Sequence, residues 1–231
     1  MKNLTSIVLL AYNNLEYTKA CVESIRINTA PGTYEIIVVD NNSTDGTAAW
    51  LKEQSDIISI INDYNAGFPR GCNIGIQHSN GDSIILLNND TIVTENWLTN
   101  MTTALYSDDS VAAVGPVTNS CSNFQSIPCK YASFEEMFEF AKEYNVSDPN
   151  KWEQRDRLIG YALLVKKSVV DEIGLLDEVF FPGNFEDDDW CLRMRLAGYK
   201  LLLCKDTFIH HFGSTSFSRA VSYTHLTLPT I

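Results

Sequence analysis

The sequence predicts an α/β domain with a mostly parallel central sheet flanked by helices. Over the first half of the chain, short runs of Ile, Val and Leu alternate with amphipathic stretches of about 10 to 15 residues. The apolar runs place hydrophobic residues at consecutive positions, which is typical of strands buried on both faces. Strands that alternate with helices imply right-handed crossovers, and therefore a sheet whose strands are largely parallel.

The first half is predicted to contain five strands, with a helix after each of the first four. The strands are TSIVLLAYN, YEIIVVD, DIISII, SIILLNND and SVAAVGPV. The helices are LEYTKACVESIRINTA, DGTAAWLKEQ, residues 67–78 and residues 94–107. Side-chain oxygens before a helix accept hydrogen bonds from its first amides, so we expect Ser43 or Thr44 to cap the second helix and Thr94 the fourth.

The second half is less regular. Residues 119–157 lack a strong period apart from one helical piece, FEEMFEFAKEY, and we expect an insertion that lies over the sheet. After it we predict a strand, a short helix, a loop, a longer helix and one or two final strands. These are RLIGYALLVKK, SVVDEIG, LLDEVFFPGNF, EDDDWCLRMRLAGY and KLLLCKDTFIHHFG. The tail from Val221 onward loses this pattern and reads like a translated adapter, so we leave it out of the fold prediction.

Composition excludes several functional classes. The net charge of -12, from 29 acidic and 17 basic residues, argues against a nucleic-acid partner. The six cysteines form no C-x-x-C pair, which favours a reducing, cytoplasmic setting. No apolar window reaches the roughly 18 residues of a membrane span. The phosphate-binding patterns G-x-G-x-x-G and G-x-x-x-x-G-K-[ST] are also missing, which argues against nicotinamide dehydrogenases and phosphate-loop ATPases.

Asn or Asp follows each of the first four predicted strands, in AYNN, DNNSTDGT, NDYNAGF and NND. In an open parallel sheet, ligands bind outside the carboxyl ends of the strands. Ordinary turn chemistry explains any one of these residues alone, but four together indicate a site. A diphosphate bound there would lie over the carboxylate of Asp90. Oxygen ligands of this kind suit Mg²⁺ or Mn²⁺.

The acidic run FEDDDW offers a candidate general base. On a helix, Asp187 lies three positions before Trp190 and four before Cys191, so it shares their apolar side. Burial there would raise its pKa and suit it to proton abstraction. The alternative is that these acids only complement the helix N-terminus. Asp189 is expected to pair with Arg193 four positions later.

Two adjacent histidines, His210 and His211, point to opposite faces of a predicted strand. One of them can therefore face the site whichever way the strand lies. A histidine nitrogen would complete a metal site with Asp90, although a packed or surface histidine is the more common case.

The ordered set SIVLLAYNN, EIIVVDNNSTDGT, NAGFPRGCNIGI, LLNNDT, FEDDDWCLRMRLAGY and HHFGSTS resembles the inverting glycosyltransferases of family 2, which have the GT-A fold of nucleotide-diphospho-sugar transferases. The resemblance runs from about Ser6 to Phe217. The spacing of Asn and Gly over Asn65–Gly75 is similar to the bacterial branch that contains rhamnosyltransferases of surface polysaccharide assembly.

The resemblance implies a role for each matching position. Asp187 would be the catalytic base, and Asp90, the last acid of the D-x-D motif, would hold the metal with His210 or, failing that, His211. The first position of that motif is an amide here, so a single carboxylate would bind the ion. The implied donor-binding residues are Tyr12, Asp40, Asn42, Asn65, Gly67, Asn73, Asn88 and Asn89.

The resemblance also implies a reaction. A sugar would pass, with inversion, from a dTDP-, UDP- or GDP-sugar to a hydroxyl of a glycan or lipid-linked acceptor, in polysaccharide or cell-wall synthesis. Residues 1–118 would form the nucleotide-sugar-binding half, residues 119–217 the acceptor-side and catalytic half of the same domain, and residues 218–231 a non-native or truncated tail. A missing C-terminal region could attach the protein to the inner face of the membrane.

Two alternatives remain open. A sugar-phosphate nucleotidyltransferase shares a similar core but needs a glycine-rich basic loop after the first strand, where AYNNLEY stands. A nucleotide-sugar-binding module that has lost activity would keep the same residues. The loop FFPGNF before the acidic run could stack on a sugar, close over it, or serve only to pack against its neighbours.

Overall fold

The computed structural model describes residues 4–213, which fold around an eight-stranded mixed sheet. The strands are β1 (Thr5–Ala11), β2 (Tyr34–Asp40), β3 (Ile57–Ile61), β4 (Ser83–Asn88), β5 (Thr91–Ile92), β6 (Val111–Val117), β7 (Trp152–Arg155), β8 (Ala162–Lys166), β9 (Lys200–Phe208) and β10 (His210–His211). The helices are α1 (Leu15–Asn28), α2 (Thr47–Lys52), α3 (Gly67–Gln77), α4 (Trp97–Leu105), α5 (Phe134–Tyr144), α6 (Lys167–Ile173) and α7 (Glu186–Leu196).

The order of strands in the large sheet is β3-β2-β1-β4-β8-β6-β9-β7. Strands β1 to β4 are mutually parallel, as the alternation of strands and helices predicts. Strand β8 runs antiparallel to both of its neighbours, β4 and β6, and thereby joins the two halves of the sheet. Strands β5 and β10 form a separate two-stranded antiparallel ribbon. The predicted α/β fold with a largely parallel sheet flanked by helices is confirmed.

Hydrophobic clusters on both faces of the sheet explain the consecutive apolar residues in its strands. In β1, Ile7 and Leu9 pack into one cluster with residues of α1 and α4. Val8 points to the other face, into a cluster with residues of α3 and α7. All three side chains are buried, as expected for a strand covered on both sides.

Some local predictions were wrong. Helix α2 begins after Gly46 and α4 after Asn96, and neither cap residue uses a side chain. Ser43 and Thr44 instead bond to the backbone and side chain of Asn13, and the Thr94 hydroxyl donates to the carbonyl of Phe208. These hydroxyl groups connect loops, a use that short-range sequence patterns do not distinguish from capping.

The strand predicted from residue 157 begins only at Ala162, and β7 lies inside the predicted irregular insertion. Strand β7 reads WEQR and lies at the edge of the sheet, half exposed. An edge strand with charged residues carries little hydrophobic signal, and this explains the omission. The tail assigned to residues 218–231 falls outside the described residues. Within residues 4–213, no helix combines the length and apolarity needed to cross a membrane.

Glycines at every fourth position allow α3 to lie against β1. A Cβ atom added at Gly71 would stand 2.3 Å from Cδ1 of Leu10, and one at Gly75 would stand 2.3 Å from Cγ1 of Val8. Such distances leave no room for a methyl group. The spacing in GFPRGCNIG therefore sets how closely α3 approaches the sheet, and with it where the start of α3 stands at the sheet edge.

We expect Gly75→Ala to lower the free energy of unfolding by about 1 to 3 kcal/mol, because the added methyl group overpacks the contact with Val8. The better helix propensity of Ala offsets only part of this cost. Urea denaturation measures the change. Gln77→Ala, on the exposed side of the same helix, is the control and should shift stability by less than about 0.5 kcal/mol. Equal stability of the two variants would contradict the close-packing argument.

Candidate functional site

The ends of β1, β2 and β4 meet at one edge of the sheet. In the parallel register, Ala11 lies beside Asp40, and Leu10 beside Asn88. The loops that follow these strands therefore lie together, as the strand-end rule predicts. The residues predicted to bind a ligand at this edge belong to these loops and to the start of α3.

Asp40 is fully buried at the end of β2. One carboxylate oxygen, Oδ1, accepts a hydrogen bond from the backbone N–H of Ser43 at 3.2 Å. The other oxygen, Oδ2, has no hydrogen-bond partner among the described residues. Buried acceptors are nearly always satisfied in folded proteins, so this oxygen is suited to a donor group on a ligand. Tyr12 and Asn42 are exposed in the adjoining loops, with Asn42 in the left-handed backbone region at φ 68°.

Asn41 connects β2 to the start of α3, and sequence reasoning missed it. Its amide donates to Oδ1 of Asn65 at 2.8 Å and to the carbonyl of Gly67 at 3.2 Å. Its Oδ1 accepts from the N–H of Ala66 at 3.0 Å. Asn65 in turn accepts from the N–H of Gly67 at 2.9 Å. Asn65 is therefore a residue that shapes this loop, and Asn41 is the buried centre of the network.

Two predicted donor-binding amides are used by the protein itself. Asn73 is buried and bonds to the backbone of Leu176, accepting from its N–H at 3.0 Å and donating to its carbonyl at 2.9 Å. The amide of Asn89 donates to the hydroxyl of Thr18 on α1 at 2.9 Å. In the sequence, an asparagine whose amide bonds to another part of the protein looks the same as one whose amide binds a ligand. For these two residues the structure shows an anchoring contact.

Gly67 lies in close contact with the loop that precedes α7. It has φ +76°, and a Cβ atom there would lie 2.6 Å from Cδ2 of Phe181. The neighbouring Phe68 N–H donates to the carbonyl of Pro182 at 2.8 Å. The FFPGNF loop thus packs on the start of α3, which agrees with the packing alternative, while the Phe181 side chain stays largely exposed.

Asp90 and His211 form a carboxylate–imidazole pair in the site. Nε2 of His211 lies 3.2 Å from Oδ1 of Asp90, and both side chains are largely buried. Nδ1 of His211 lies 2.9 Å from the carbonyl oxygen of Ser120, so it carries the proton that donates there. Burial lowers the pKa of His211, but its hydrogen bond to Asp90 and the charge of that carboxylate outweigh burial and raise it overall.

The structure places His211, the second choice between the two histidines, beside Asp90. His210, the first choice, faces away from Asp90, and its Nδ1 lies 2.7 Å from the hydroxyl of Tyr131. Burial lowers the pKa of His210 to about 4, so its imidazole is neutral at pH 7. The two side chains do point to opposite faces, as predicted. Strand β10 is so short that its alignment with β5, which sequence does not reveal, decides which histidine faces the site.

The residues present fit a divalent ion shared with a diphosphate. Asp90 and, with its Nε2 deprotonated, His211 would supply two ligand atoms, and the amide of Asn88 lies 3.5 Å from the same nitrogen. Within residues 4–213 no group of three or more His, Cys, Asp or Glu side chains could hold a metal ion alone. Mg²⁺ commonly takes one or two carboxylates and completes its shell with water and substrate phosphates. Two protein donors at a strand end match that mode of binding.

Asp187 is held in place by two backbone amides. Its Oδ2 accepts from the N–H of Gly160 at 2.8 Å, and its Oδ1 from the N–H of Asp188 at 2.9 Å. Burial raises the pKa of Asp187, and the charge of Asp188 adds to this, in the direction predicted. Trp190 and Cys191 are buried as expected, and Asp189 pairs with Arg193 at 2.8 Å.

Gly160 and Tyr161 connect Asp187 to the Asp90–His211 pair. While Gly160 donates to Asp187, the carbonyl of Tyr161 accepts from the N–H of Asn88 at 2.8 Å. The Tyr161 ring stacks on the imidazole of His211, with centroids 5.1 Å apart and planes 18° from parallel. Two neighbouring residues thus fix the position of the aspartate relative to the Asp90–His211 pair.

Glu186 is a buried acid that sequence reasoning grouped with the helix-capping residues. It is 6% exposed, and its Oε2 has no hydrogen-bond partner among the described residues. Burial raises its pKa to about 7. Its position at the first residue of α7, directly before Asp187, was visible in the sequence, but the burial of its side chain was not.

Comparison with solved structures defines the class of fold. A mannosyltransferase from Pyrobaculum calidifontis, solved with GDP-Man and Mn²⁺, superposes with a TM-score of 0.69 at 17% identity, over 91% of this chain and 57% of that one. GalNAc-T7, solved with UDP, GalNAc and Mn²⁺, superposes with a TM-score of 0.72 at 15% identity. The match covers 90% of this chain and 44% of that one. The described fold is the GT-A glycosyltransferase fold.

The chain belongs to glycosyl transferase family 2, whose family model matches residues 6–173. Glycosyltransferase AglE of Haloferax volcanii is 26% identical over 213 residues, which cover 89% of this chain and 66% of that protein. An uncharacterized glycosyltransferase of Haemophilus influenzae is 35% identical over 116 residues, 48% of this chain and 36% of that protein. The low-salt glycan biosynthesis hexosyltransferase Agl10 of H. volcanii is 25% identical over 214 residues, which cover 87% of this chain and 64% of that protein. The chain therefore spans less than two thirds of the length of these relatives.

We expect Asn73→Ala to lower the free energy of unfolding by about 1 to 3 kcal/mol, because it leaves the buried N–H of Leu176 without an acceptor. Thermal and urea denaturation measure the loss. Asn150→Ala, which removes an exposed amide bonded within its own turn, is the control and should change stability little. A stable Asn73→Ala protein would return Asn73 to the candidate ligand-binding residues.

Proposed function

We propose that this chain is the catalytic domain of an inverting glycosyltransferase that moves a sugar from a nucleoside-diphosphate donor to an acceptor hydroxyl. The observation that carries the proposal is the connection of Asp187 to the Asp90–His211 pair through Gly160 and Tyr161. Such a transfer uses a proton acceptor, for which the raised pKa suits Asp187, and a site for a divalent ion, for which Asp90 and His211 offer a carboxylate and an imidazole. Membership of glycosyl transferase family 2 supports it.

The donor would bind across the ends of β1, β2 and β4. The unpartnered oxygen of Asp40 would accept a hydrogen bond from the nucleotide base, with Tyr12 and Asn42 in the adjoining loops. The network of Asn41, Asn65 and Gly67 would hold the wall of this pocket, and Asn88 would approach the ribose or the sugar. UDP-, GDP- and dTDP-sugars all have a nucleotide base, a pentose and a sugar that would make these contacts.

Asp90 and His211 would hold the divalent ion, Mg²⁺ or Mn²⁺, and the ion would offset negative charge on the departing diphosphate. Asp187 takes the proton from the acceptor hydroxyl. The N–H groups of Gly160 and Asp188 orient its carboxylate, and its raised pKa strengthens it as a base. An acceptor that approaches from the side of Asp187, opposite the diphosphate, gives inversion at the anomeric carbon.

The proposal extends to the setting of the enzyme. The spacing over Asn65–Gly75 favours the bacterial rhamnosyltransferase-like branch, and a relative named for glycan biosynthesis is consistent with a glycan or lipid-linked acceptor in surface polysaccharide assembly. All six cysteines are free thiols, in keeping with the reducing cytoplasm. Residues 1–118 would bind the donor, and residues 119–217 would supply the base and the acceptor side.

Donor turnover distinguishes this proposal from an inactive sugar-nucleotide-binding module. A panel of UDP-, GDP- and dTDP-sugars is incubated with the protein and Mn²⁺, and release of nucleoside diphosphate is measured. Binding without any release, in the presence of candidate acceptors, would favour the inactive module. Formation of a nucleotide-sugar from sugar phosphate and nucleoside triphosphate would favour the nucleotidyltransferase.

We expect Asp187→Asn to reduce kcat for transfer by about 10²- to 10⁴-fold with little change in donor affinity, because the amide cannot take the acceptor proton. Single-turnover transfer and donor titration measure the two effects. The control is Asp171→Asn, an exposed acid on α6, which should retain activity. In the wild type, kcat should fall as pH falls through the raised pKa of Asp187, since protonation disables the base. Unchanged turnover in Asp187→Asn would refute the assignment.

We expect Asp90→Asn to weaken Mn²⁺ affinity in the presence of donor nucleotide by at least about tenfold, because it removes the carboxylate of the site. Thermal shift with UDP, GDP or dTDP, with and without Mn²⁺, measures the change. The adjacent histidines provide a matched pair: His211→Gln should behave like Asp90→Asn, whereas His210→Gln should keep the metal response. An undiminished Mn²⁺ response in Asp90→Asn would show that this carboxylate binds no metal.

A further inference from the structure

Two phenylalanines have a backbone conformation that bulky residues rarely adopt. Within residues 4–213, eight non-glycine residues have positive φ, and six of them are asparagines, which tolerate this region well. The other two are Phe124, with φ 56°, and Phe185, with φ 72°. A conformation of this kind persists only where the surrounding structure imposes it, and such positions cluster at functional sites.

Core packing does not account for either residue. Phe124 is 86% exposed and Phe185 is 66% exposed, so neither ring contributes much buried apolar surface to the fold. The strained backbone costs stability, and a ring that stays exposed does not offset that cost by burying apolar surface. A binding partner that covers the two rings would bury their apolar surface and so offset the cost of the backbone strain.

The segment that carries Phe124 is fixed beside the residues that position Asp187. The amide of Asn123 donates to the carbonyl of Arg157 at 3.1 Å. On the other side, the buried Gln125 accepts from the N–H of Ile159 at 2.7 Å. The next residue, Gly160, donates to Asp187. Phe124 is therefore held between two hydrogen bonds to the segment that ends at the partner of the proposed base.

Phe185 approaches the same carboxylate along the chain. It is the residue before α7, two positions before Asp187, and its carbonyl accepts from the N–H of Asp189 at 2.9 Å. The first turn of α7 thus holds the backbone of Phe185. Both rings therefore belong to segments tied to the surroundings of Asp187, Phe124 through the Arg157–Ile159 segment and Phe185 along the chain.

We propose that Phe124 and Phe185 form an acceptor subsite that binds a sugar ring and presents one of its hydroxyls to Asp187. This inference rests on the proposed transfer reaction. The apolar C–H face of a pyranose can lie on an aromatic ring, while its hydroxyls donate to carboxylates. A carboxylate oxygen in the first turn of α7, the buried Oδ1 of Asp188, lacks a hydrogen-bond partner among the described residues, whereas Oδ2 of the same carboxylate bonds to Arg157 at 2.8 Å.

Charge favours a sugar over a lipid surface as the occupant. The first turn of α7 carries four carboxyl groups, Glu186 to Asp189, and the whole chain has a net charge of -12. Acidic groups repel the anionic headgroups of a membrane surface, and they accept hydrogen bonds from neutral polyols. A hydroxyl-bearing neutral ring satisfies both the apolar rings and the acidic surroundings.

Glycine substitutions test the subsite, because they separate its function from the stability of the fold. Glycine adopts positive φ without a steric penalty, so Phe124→Gly and Phe185→Gly should leave the melting temperature unchanged or raise it. A structural role for the rings would lower it instead. Phe124→Tyr and Phe185→Tyr keep a ring and serve as conservative variants. The control for loss of exposed apolar surface is Leu196→Ala, at an exposed leucine of α7. Alanine is used there because glycine would destabilise the helix.

Two readouts use a panel of neutral methyl hexopyranosides as probes. Saturation-transfer NMR measures their binding to the wild type and the variants, and transfer assays with an active donor give KM and kcat. Each glycine variant should raise KM for the glycoside by about 3- to 10-fold, the range expected for one aromatic contact, and weaken binding in parallel. In the glycine variants, the rate at which water hydrolyses the donor should stay near that of the wild type. In the tyrosine variants, KM for the glycoside and glycoside binding should stay near the wild-type values.

Three results would overturn the subsite. These are an absence of glycoside binding to the wild type, an unchanged KM in the double glycine variant, and a loss of liposome binding in that variant with glycoside binding intact, which would indicate a lipid surface. The proposed transfer reaction fails separately. If glycosides bind through the two rings but no donor is hydrolysed or transferred, the binding site stands and the reaction is refuted.

Discussion

The geometry of the candidate site depends on the two residues that precede β8. Gly160 holds the carboxylate of Asp187 through its N–H, and Tyr161 both bonds to Asn88 at the end of β4 and stacks on His211. Because β8 is antiparallel to β4, its start lies beside the end of β4. A fully parallel sheet would place the start of one strand beside the start of the next. The reversed strand is therefore what allows one short segment to reach both Asp187 and the Asp90–His211 pair.

Buried amides hold the loops after β2 and around α3 in place, as Gly160 and Tyr161 hold the surroundings of Asp187. Asn41 ties the end of β2 to the start of α3, and Asn73 ties the middle of α3 to the loop before α7. Glycines on the same helix let it lie directly on β1. Amides suit this work because each can donate and accept at once, and so satisfy two backbone groups in the interior. The result is a rigid frame around loops whose own residues remain exposed.

Much of this arrangement could be predicted from residue spacing. The strand-end rule located Asp40, Asn88 and Asp90, and helical spacing placed Asp187 on the buried side of α7. These predictions succeeded because the relevant periods are local. They failed where a residue has the same local pattern in two roles.

The remaining differences have identifiable physical causes. Asn73 and Asn89 were expected to bind a ligand, and the structure shows their amides in contacts that anchor α3 and α1. The choice between His210 and His211 depends on pairing with a two-residue strand far away in sequence. Burial of Glu186 depends on tertiary contacts that no single helix reveals.

The ribbon of β5 and β10 has a consequence for how the protein matures during synthesis. His211 belongs to the last described strand, and the next residue, Phe212, donates from its backbone to the carbonyl of Asp90 at 3.0 Å. The residues of β1 to β4 are synthesised long before these last residues. Under the proposed chemistry, a chain that ends before β10 lacks the histidine, and one that ends before α7 lacks the base as well. Turnover would therefore begin only after the end of the described chain is made, and a stalled or truncated product would lack activity.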